Sequence, residues 1–295
     1  MSNAVSTQAL NYLQRVGVTA GRGESLESLT AGDPGRRRLL RVLGIGRLGK
    51  AEDGRPTERE ERIPSEQLLT GLGQHRIPLA FLVESAGTEA SVQLGTWWPT
   101  GDHGYSPDRL DANERVLRSL ARGIYLTSDD ELASARPEQP GALLGAMVTG
   151  IPTARRRPSD PRELPLDRVL RIAGGARWRI LVLAVPASER LLTTQRQRLI
   201  NELRLVARDS KAIQAPSPLG DHITELLKRG LEELTRAQAV GGWRTAIYLL
   251  GDSDGYYRLS SAWRSVFAGQ DSVLDPVQLH LHEDVPRLAL SLIHI

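Results

Sequence analysis

The second half of the chain alternates short apolar runs with longer stretches that carry apolar residues at helical spacing. Arg179–Val185 (RILVLAV) is apolar almost throughout, which predicts a buried strand. Two predicted helices follow: one at Ser188–Arg208, and one that is capped by Asp221 and ended by Gly241-Gly242. The pattern then predicts a strand at Thr245–Leu250, a helix capped by Asp254 and a strand at Val277–His282. Short strands with packed helices in this order predict an α+β fold in which helices cover one face of a sheet.

The first half carries weaker versions of the same signals. Two β-rich runs joined around Ala86-Gly87-Thr88 predict a hairpin. The predicted elements are a helix near Thr7–Arg15, a strand at Arg38–Leu48, a helix at Ser65–Gln74, hairpin strands at Leu79–Glu84 and Ser91–Trp97, a helix at Asn113–Arg122 and a strand at Leu143–Ile151. This half is therefore expected to form a second unit of similar class.

The segment 152–165 (PTARRRPSDPRELP) is the best linker candidate, because it holds four prolines and little apolar surface. It divides the chain into two predicted α+β lobes, 1–151 and 166–289, each a short mixed or antiparallel sheet with helices on one face. Residues 290–295 (LSLIHI) stop within an apolar run, without a cap or a polar tail. We expect them to be a non-native scar, and the chain to be the front part of a longer protein.

Composition narrows the class of protein. The 295 residues are 40% hydrophobic and 25% charged, as expected of a folded rather than a disordered chain. The absence of cysteine excludes disulfides, thiolate zinc sites and cysteine nucleophiles. The N-terminus lacks the basic start and apolar core of a secretory signal, and no run approaches the length of a membrane span. These features predict a cytoplasmic protein.

Positive charge is concentrated locally, since the formal net charge is only +3. Two arginine triplets are the candidate contacts for DNA or a protein partner: Arg36, Arg37 and Arg38, and Arg155, Arg156 and Arg157. Arginine side chains pair with phosphate oxygens in nucleic-acid complexes. A solvated loop is the favoured interpretation of each triplet.

Gly44–Lys50 (GIGRLGK) satisfies both GxxxxGK and GxGxxG, which are patterns of phosphate-binding loops. A P-loop also needs a hydroxyl for magnesium, and Ala51 stands at that position. Both patterns need a helix immediately afterwards, but the residues that follow, up to Pro56, cannot start a stable one. Gly44, Gly49 and Lys50 are therefore minor candidates for cofactor binding, and a strand that leaves through a glycine-rich turn is favoured.

No other motif supports a catalytic or metal site. The calcium-loop pattern near Asp252 fails at Leu250 and Ser261. His280 and His282 share one face of a predicted strand but have no obvious third ligand. Asp129, Asp130 and Glu131 lack a partner base. We expect no enzyme activity, no cofactor and no metal ion in this chain.

Three pieces of the sequence resemble a known family. Trp243–Ser272 (WRTAIYLLGDSDGYYRLSSAWRSVFAGQDS) is a predicted strand and helix that end in Phe267-Ala268-Gly269. This piece resembles the segment just upstream of the motor in bacterial HerA/FtsK-type ATPases, which are related to conjugative type IV secretion ATPases. Gly145–Thr153 and Leu79–Trp97 are similar to other parts of that layout.

The resemblance implies a hexameric, ATP-driven motor that moves DNA, with this chain as its N-terminal part. The functional residues of the family are the P-loop lysine and hydroxyl, the Walker B acid and an arginine finger, and none has a counterpart here. ATP and Mg²⁺ would bind the parent chain, and the partners would be the downstream motor, copies in a homo-hexamer, and DNA or a nuclease. The expected function is a non-catalytic module for ring assembly or for docking of a partner or DNA. The alternatives are a free-standing interaction or scaffold protein and a small nucleotide-binding enzyme that uses Gly44–Lys50.

Overall fold

The computed structural model describes residues 24–25, 37–45, 65–98, 104–128, 144–150, 164–212, 218–267, 277–282 and 289–290. The strands are β1 (Glu24–Ser25), β2 (Arg37–Ile45), β3 (Leu79–Ala86), β4 (Ala90–Trp97), β5 (Ile124–Ser128), β6 (Leu144–Thr149), β7 (Arg177–Pro186), β8 (Trp243–Gly251), β9 (Gln278–His282) and β10 (Ala289–Leu290). The helices are α1 (Ser65–Gln74), α2 (Pro107–Leu120), α3 (Pro165–Ile172), α4 (Glu189–Ala212), α5 (Pro218–Val240) and α6 (Ser253–Phe267).

Eight of the strands form one antiparallel sheet in the order β5-β2-β4-β3-β7-β8-β6-β9. Its centre is made by β3, β7 and β8, whose ladders run without a break from Leu79↔Ala184 to Ala86↔Arg177 and from Trp178↔Gly251 to Pro186↔Trp243. The strands β1 and β10 pair separately. The structure confirms the predicted α+β class.

The expectation of two separate sheets is wrong. The strand β3, from the first predicted lobe, pairs with β7 from the second, and β6 lies between β8 and β9. The strand β6 has both edges hydrogen-bonded to strands from the second half, whereas β3 pairs with β4 of its own half on one edge and with β7 on the other. Such long-range pairing leaves no local pattern to read. Of the expected linker, residues 152–163 lie outside the described residues, while Leu164 and Pro165 begin α3. The division of the chain at that segment stays a prediction.

Four helices cover one face of the sheet, as the sequence predicts. At the β2–β4 side, α1 and α2 pack with a buried cluster that includes Leu40, Leu72 and Leu117. Under β7 and β8, α3 and α6 pack with a second cluster that includes Ile180 and Leu249. The opposite face holds a third buried cluster, which contains no residue of the described helices: Ala80, Trp97, Leu181, Leu183, Ala246, Tyr248 and Leu250.

The start of α6 fixes how this helix meets the sheet. The carboxylate of Asp252 accepts a hydrogen bond of 2.7 Å from the backbone N–H of Gly255, so Asp252 is the N-cap. The prediction that Asp254 is the cap is wrong, because Asp254 lies in the first turn and pairs with Arg258. Gly255 packs against the carbonyl of Arg177, where a Cβ would collide with the backbone.

Other boundaries also differ from the prediction. The helix α5 begins at Pro218, so Asp221 lies in its first turn instead of capping it. The strand β5 and the helix α3 were not expected. The predicted helix at Thr7–Arg15 lies outside the described residues, as does the end of the predicted strand at Leu48.

Candidate functional site

A helical hairpin is inserted in the chain between two neighbouring strands at the centre of the sheet. Pro186 and Trp243 are the last register pair of β7 and β8, yet the whole of α4 and α5 lies between them in sequence. The backbone N–H of Ala187 donates a 2.8 Å hydrogen bond to the carbonyl of Gly242 and closes the base. We call residues 187–242 the arm. Because neighbouring antiparallel strands can be joined by a two-residue turn, the arm is a long insertion at a point where a short turn would suffice to connect β7 and β8.

The arm packs on itself. Among the described elements, α4 and α5 make extensive contacts only with each other. Their shared core is a small separate cluster: Leu199, Leu203, Val206, Ile223 and Leu227. Since α4 has 24 residues, it is about 36 Å long at 1.5 Å per residue. The arm therefore does not pack extensively on the sheet, whereas the sequence predicts that these helices cover it.

The base of the arm meets the helical layer in one depression. This depression of about 370 Å³ lies between α1 and the end of α5, and it is lined by Ser65, Leu69, Thr70, Arg236, Val240, Gly241 and Trp243. Gly241 has φ +96°, a left-handed conformation that ends α5 and turns the chain into β8. Arg244, the second residue of β8, is partly buried, and this burial lowers the pKa of its guanidinium group. None of the described residues that line the depression is a carboxylate or a histidine that could act as a general base.

The glycine-rich candidate falls largely outside the described residues. Gly44 and Ile45 end β2, but Gly46–Lys50 are not described, so the positions of Gly49 and Lys50 stay untested. Both neighbours of β2 are antiparallel, and a β-bulge lies between Val42 and Gly44. A phosphate-binding loop of the βαβ type instead follows a strand of a parallel sheet. The described strand geometry does not favour a nucleotide site at this loop.

The favoured interpretation of the first arginine triplet was a solvated loop, but its two described residues lie in a strand. Arg37 and Arg38 lie in β2, because their strand pairs with β4 from Arg37↔Trp97 onwards. The guanidinium of Arg38 forms a 2.9 Å ion pair with Asp111 on α2. Its charge is therefore already partly neutralised. Arg36 and the triplet Arg155, Arg156 and Arg157 lie outside the described residues.

The other titratable candidates form no cluster among the described residues. His280 is exposed on β9, opposite Met147 of β6, and His282 pairs with Gly145 on the same strand pair. Within the described ranges, no group of three histidine or acidic side chains could hold a metal ion. Asp129, Asp130, Glu131 and His103 lie outside those ranges.

The two adjacent tryptophans have different roles. Trp97 is buried in the sheet, and its Nε1–H donates to the carbonyl of Leu79 at 3.2 Å, so this ring belongs to the core. Trp98 is half-buried. Its ring packs edge to face with that of Tyr105 at 6.3 Å and lies 5.3 Å from the guanidinium of Arg109.

The sequence reasoning missed the strongest surface feature. Four exposed arginines on α4 project from the arm: Arg190, Arg198, Arg204 and Arg208. The signal was present, because Arg190, Arg204 and Arg208 recur at helical spacing on the side opposite Leu199, Leu203 and Val206. It was hidden because the arginines are separated in sequence, whereas the two triplets are contiguous.

Neither the models of known protein families nor the sequences of curated proteins match this chain. The resemblance to motor ATPases therefore stays a prediction. None of the helices in the described ranges is long and apolar enough to cross a membrane.

Proposed function

We propose that this chain is a non-catalytic docking module, in which the sheet and its four helices form a base and the arm reaches a partner. One observation carries the proposal: a helical hairpin is inserted between the register partners Pro186 and Trp243 and packs extensively only on itself. We expect the sheet to fold without this insertion, because β7 and β8 already meet at its base. A surface held away from the core in this way is suited to binding another macromolecule.

The proposed setting follows the resemblance. The module would be the N-terminal part of a HerA/FtsK-like, ATP-driven DNA translocase in the cytoplasm, where it serves ring assembly or docking. In support, the resembling segment Trp243–Ser272 begins with β8 followed by α6, and Phe267 ends the helix. ATP and Mg²⁺ would bind the parent chain rather than this module, and copies of the chain would meet in a hexamer.

An arm-less variant tests the docking role. In this variant an Asn-Gly turn replaces residues 187–242, which joins β7 directly to β8. The whole chain and the variant are each recovered under native conditions from the host cell, and their masses are measured by light scattering. We expect the whole chain in a larger assembly and the variant at the mass of the chain alone. Assemblies of equal size, apart from the mass of the arm, would contradict the proposal.

Magnesium-dependent ATP turnover tests the non-catalytic part. We expect no turnover by this chain, because Ala51 cannot supply the hydroxyl that holds magnesium in a P-loop. The control is Lys50→Ala, which removes the lysine of the pattern. Turnover by the wild-type chain that is lost in Lys50→Ala would support the nucleotide-enzyme alternative instead.

A further inference from the structure

The helix α4 carries a continuous polar stripe along its exposed side. Its residues are spaced by seven, four, three and four positions, so they lie within about 60° of the helix circumference at about 100° per residue. All are exposed: Arg190, Gln197, Asn201, Arg204 and Arg208. We call these five residues the α4 stripe. It faces away from Leu199, Leu203 and Val206, which pack on α5.

The three arginines of the α4 stripe differ in their ion pairing from arginines on three other helices. Within the part of the chain that the structure describes, none of its three arginines forms an ion pair. Arg204 and Arg208 are four residues apart, so two like charges are neighbours on the helix surface. Arginines on α2, α5 and α6, by contrast, pair with an acid four residues earlier: Arg118 with Glu114, Arg229 with Glu225, and Arg258 with Asp254.

No carboxylate interrupts the stripe. The only exposed acid among residues 189–208 is Glu189, in the first turn, where a negative charge complements the helix dipole. Between the arginines lie the amides of Gln197 and Asn201, which share a 3.1 Å hydrogen bond. The surface thus offers fixed positive charges and side-chain amide donors along one line.

Building on the docking function, we propose that the α4 stripe binds the phosphate backbone of a nucleic acid. From Arg190 to Arg208 the stripe is about 27 Å long, which matches about eight base-pair steps of a duplex. Guanidinium groups pair with phosphate oxygens in a bidentate manner, and amide side chains donate to phosphate and sugar. The stripe contacts backbone rather than base edges, so binding is independent of sequence.

The composition of the stripe favours a nucleic acid over a lipid surface. A helix that lies on a membrane places apolar residues beside its basic ones, so that they enter the acyl boundary. Leu205, which is 49% exposed, is the single large apolar side chain exposed near the stripe in residues 189–208. An acidic protein segment would meet the same charges, and it is one outcome of the test.

The test compares two variants of the whole chain with identical charge change. The first, Arg190→Gln/Arg204→Gln/Arg208→Gln, removes the charges of the stripe. The second, Lys228→Gln/Arg229→Gln/Arg236→Gln, removes three exposed charges from α5 in the same arm. Circular dichroism checks that both variants keep their helices. Affinity for a labelled DNA duplex that spans the stripe is then measured by fluorescence anisotropy over a series of salt concentrations.

We expect the stripe variant to bind at least about tenfold more weakly than wild type. The slope of its log affinity against log salt should become less negative by about 2.7, at about 0.9 for each of the three lost phosphate contacts. The α5 variant should stay within about twofold. Equal losses in both variants would overturn the inference, as would a wild-type chain that fails to bind DNA. Displacement of DNA by polyglutamate at equal charge concentration would assign the stripe to acidic proteins. If the wild-type chain does not bind DNA but the arm is still needed for assembly, the docking function stands and this inference is wrong.

Discussion

Pro186 and Trp243 face each other as the last register pair of β7 and β8, although all of α4 and α5 separates them along the chain. Two central strands of a sheet therefore meet as if a tight turn joined them. The sheet passes directly from one strand to the next, and the arm leaves and returns at the same point. This relationship predicts that the arm can be removed while the base still folds.

The arm-less variant should fold with a stability close to that of the whole chain. The two buried clusters under the helical layer lie outside the arm, and the arm's own core is separate. We expect cooperative denaturant unfolding, with a midpoint near that of wild type and a smaller dependence on denaturant, because less surface is exposed on unfolding. Loss of cooperative unfolding in the variant would show that the sheet depends on the arm.

Glu84 and Arg179 test the continuity of the sheet across the two halves of the sequence. They are register partners on β3 and β7, and their side chains form an ion pair of 2.6 Å at about one-quarter exposure. A double-mutant cycle with Glu84→Gln and Arg179→Gln should give a coupling free energy of about 0.5–1 kcal/mol that weakens with salt. The same cycle on Glu225 and Arg229, an exposed pair within α5, should give a smaller value. Zero coupling for Glu84 and Arg179 would contradict the β3–β7 register.

Asp252 caps α6, whereas Asp254 forms a surface ion pair, so the two residues should contribute differently to stability. Asp252→Ala removes the carboxylate that accepts the N–H of Gly255, so we expect the free energy of unfolding to fall by about 0.5–2 kcal/mol. Asp254→Ala removes only an exposed pair with Arg258, which contributes about 0.3–0.5 kcal/mol. Chemical denaturation measures both changes. A larger loss in Asp254→Ala would restore Asp254 as the cap.

Tyr256 makes the protein sensitive to alkali. Burial raises the pKa of this phenol, with Arg264 opposing the shift and Tyr257 adding to it. Above about pH 10, tyrosine in the unfolded chain loses its proton while Tyr256 in the folded chain keeps it. The unfolded state then binds fewer protons, so the free energy of unfolding falls as pH rises. Tyr256→Phe should lessen this alkaline loss relative to Tyr257→Phe, and equal losses in the two variants would contradict the assignment.

Much of the secondary structure could be predicted from local signals. The helix α1 has the bounds that the sequence predicts, and the β3–β4 hairpin turns at Gly87, whose φ of +104° suits glycine. Helices α4 and α6 and strands β7 and β8 also lie close to their predicted positions. In each case an apolar pattern of clear period is flanked by a turn or cap signal.

The arrangement of these elements could not be predicted in the same way. That β3 joins β7 depends on hydrogen bonds between residues such as Val83 and Ile180, which are far apart in sequence. The helix α3 carried no prediction, and its first residue, Pro165, ended the predicted linker. Pro165 is at the first position of the helix, where proline is well tolerated. For α6, the sequence predicted Asp254 as the cap, and the hydrogen bond to Gly255 shows instead that the cap is Asp252, two residues earlier.

The candidate site was predicted least well. The sequence drew attention to the contiguous triplet at Arg36–Arg38, but Arg38 is paired with Asp111. The α4 stripe becomes visible only once helix geometry brings Arg190, Arg204 and Arg208 to one side and the contacts of α4 leave that side exposed.

The most direct measurement of the central claim is site-specific photocross-linking in the host cell. A photoreactive residue replaces Leu205, which is 49% exposed on the arm, or Tyr257, which is 59% exposed on the helical layer of the base. Since the two positions are similarly accessible, they differ mainly in their place in the fold. Our account expects cross-links to a nucleic acid or a protein from position 205 and few from position 257. Cross-links mainly from position 257, or none from position 205, would contradict it.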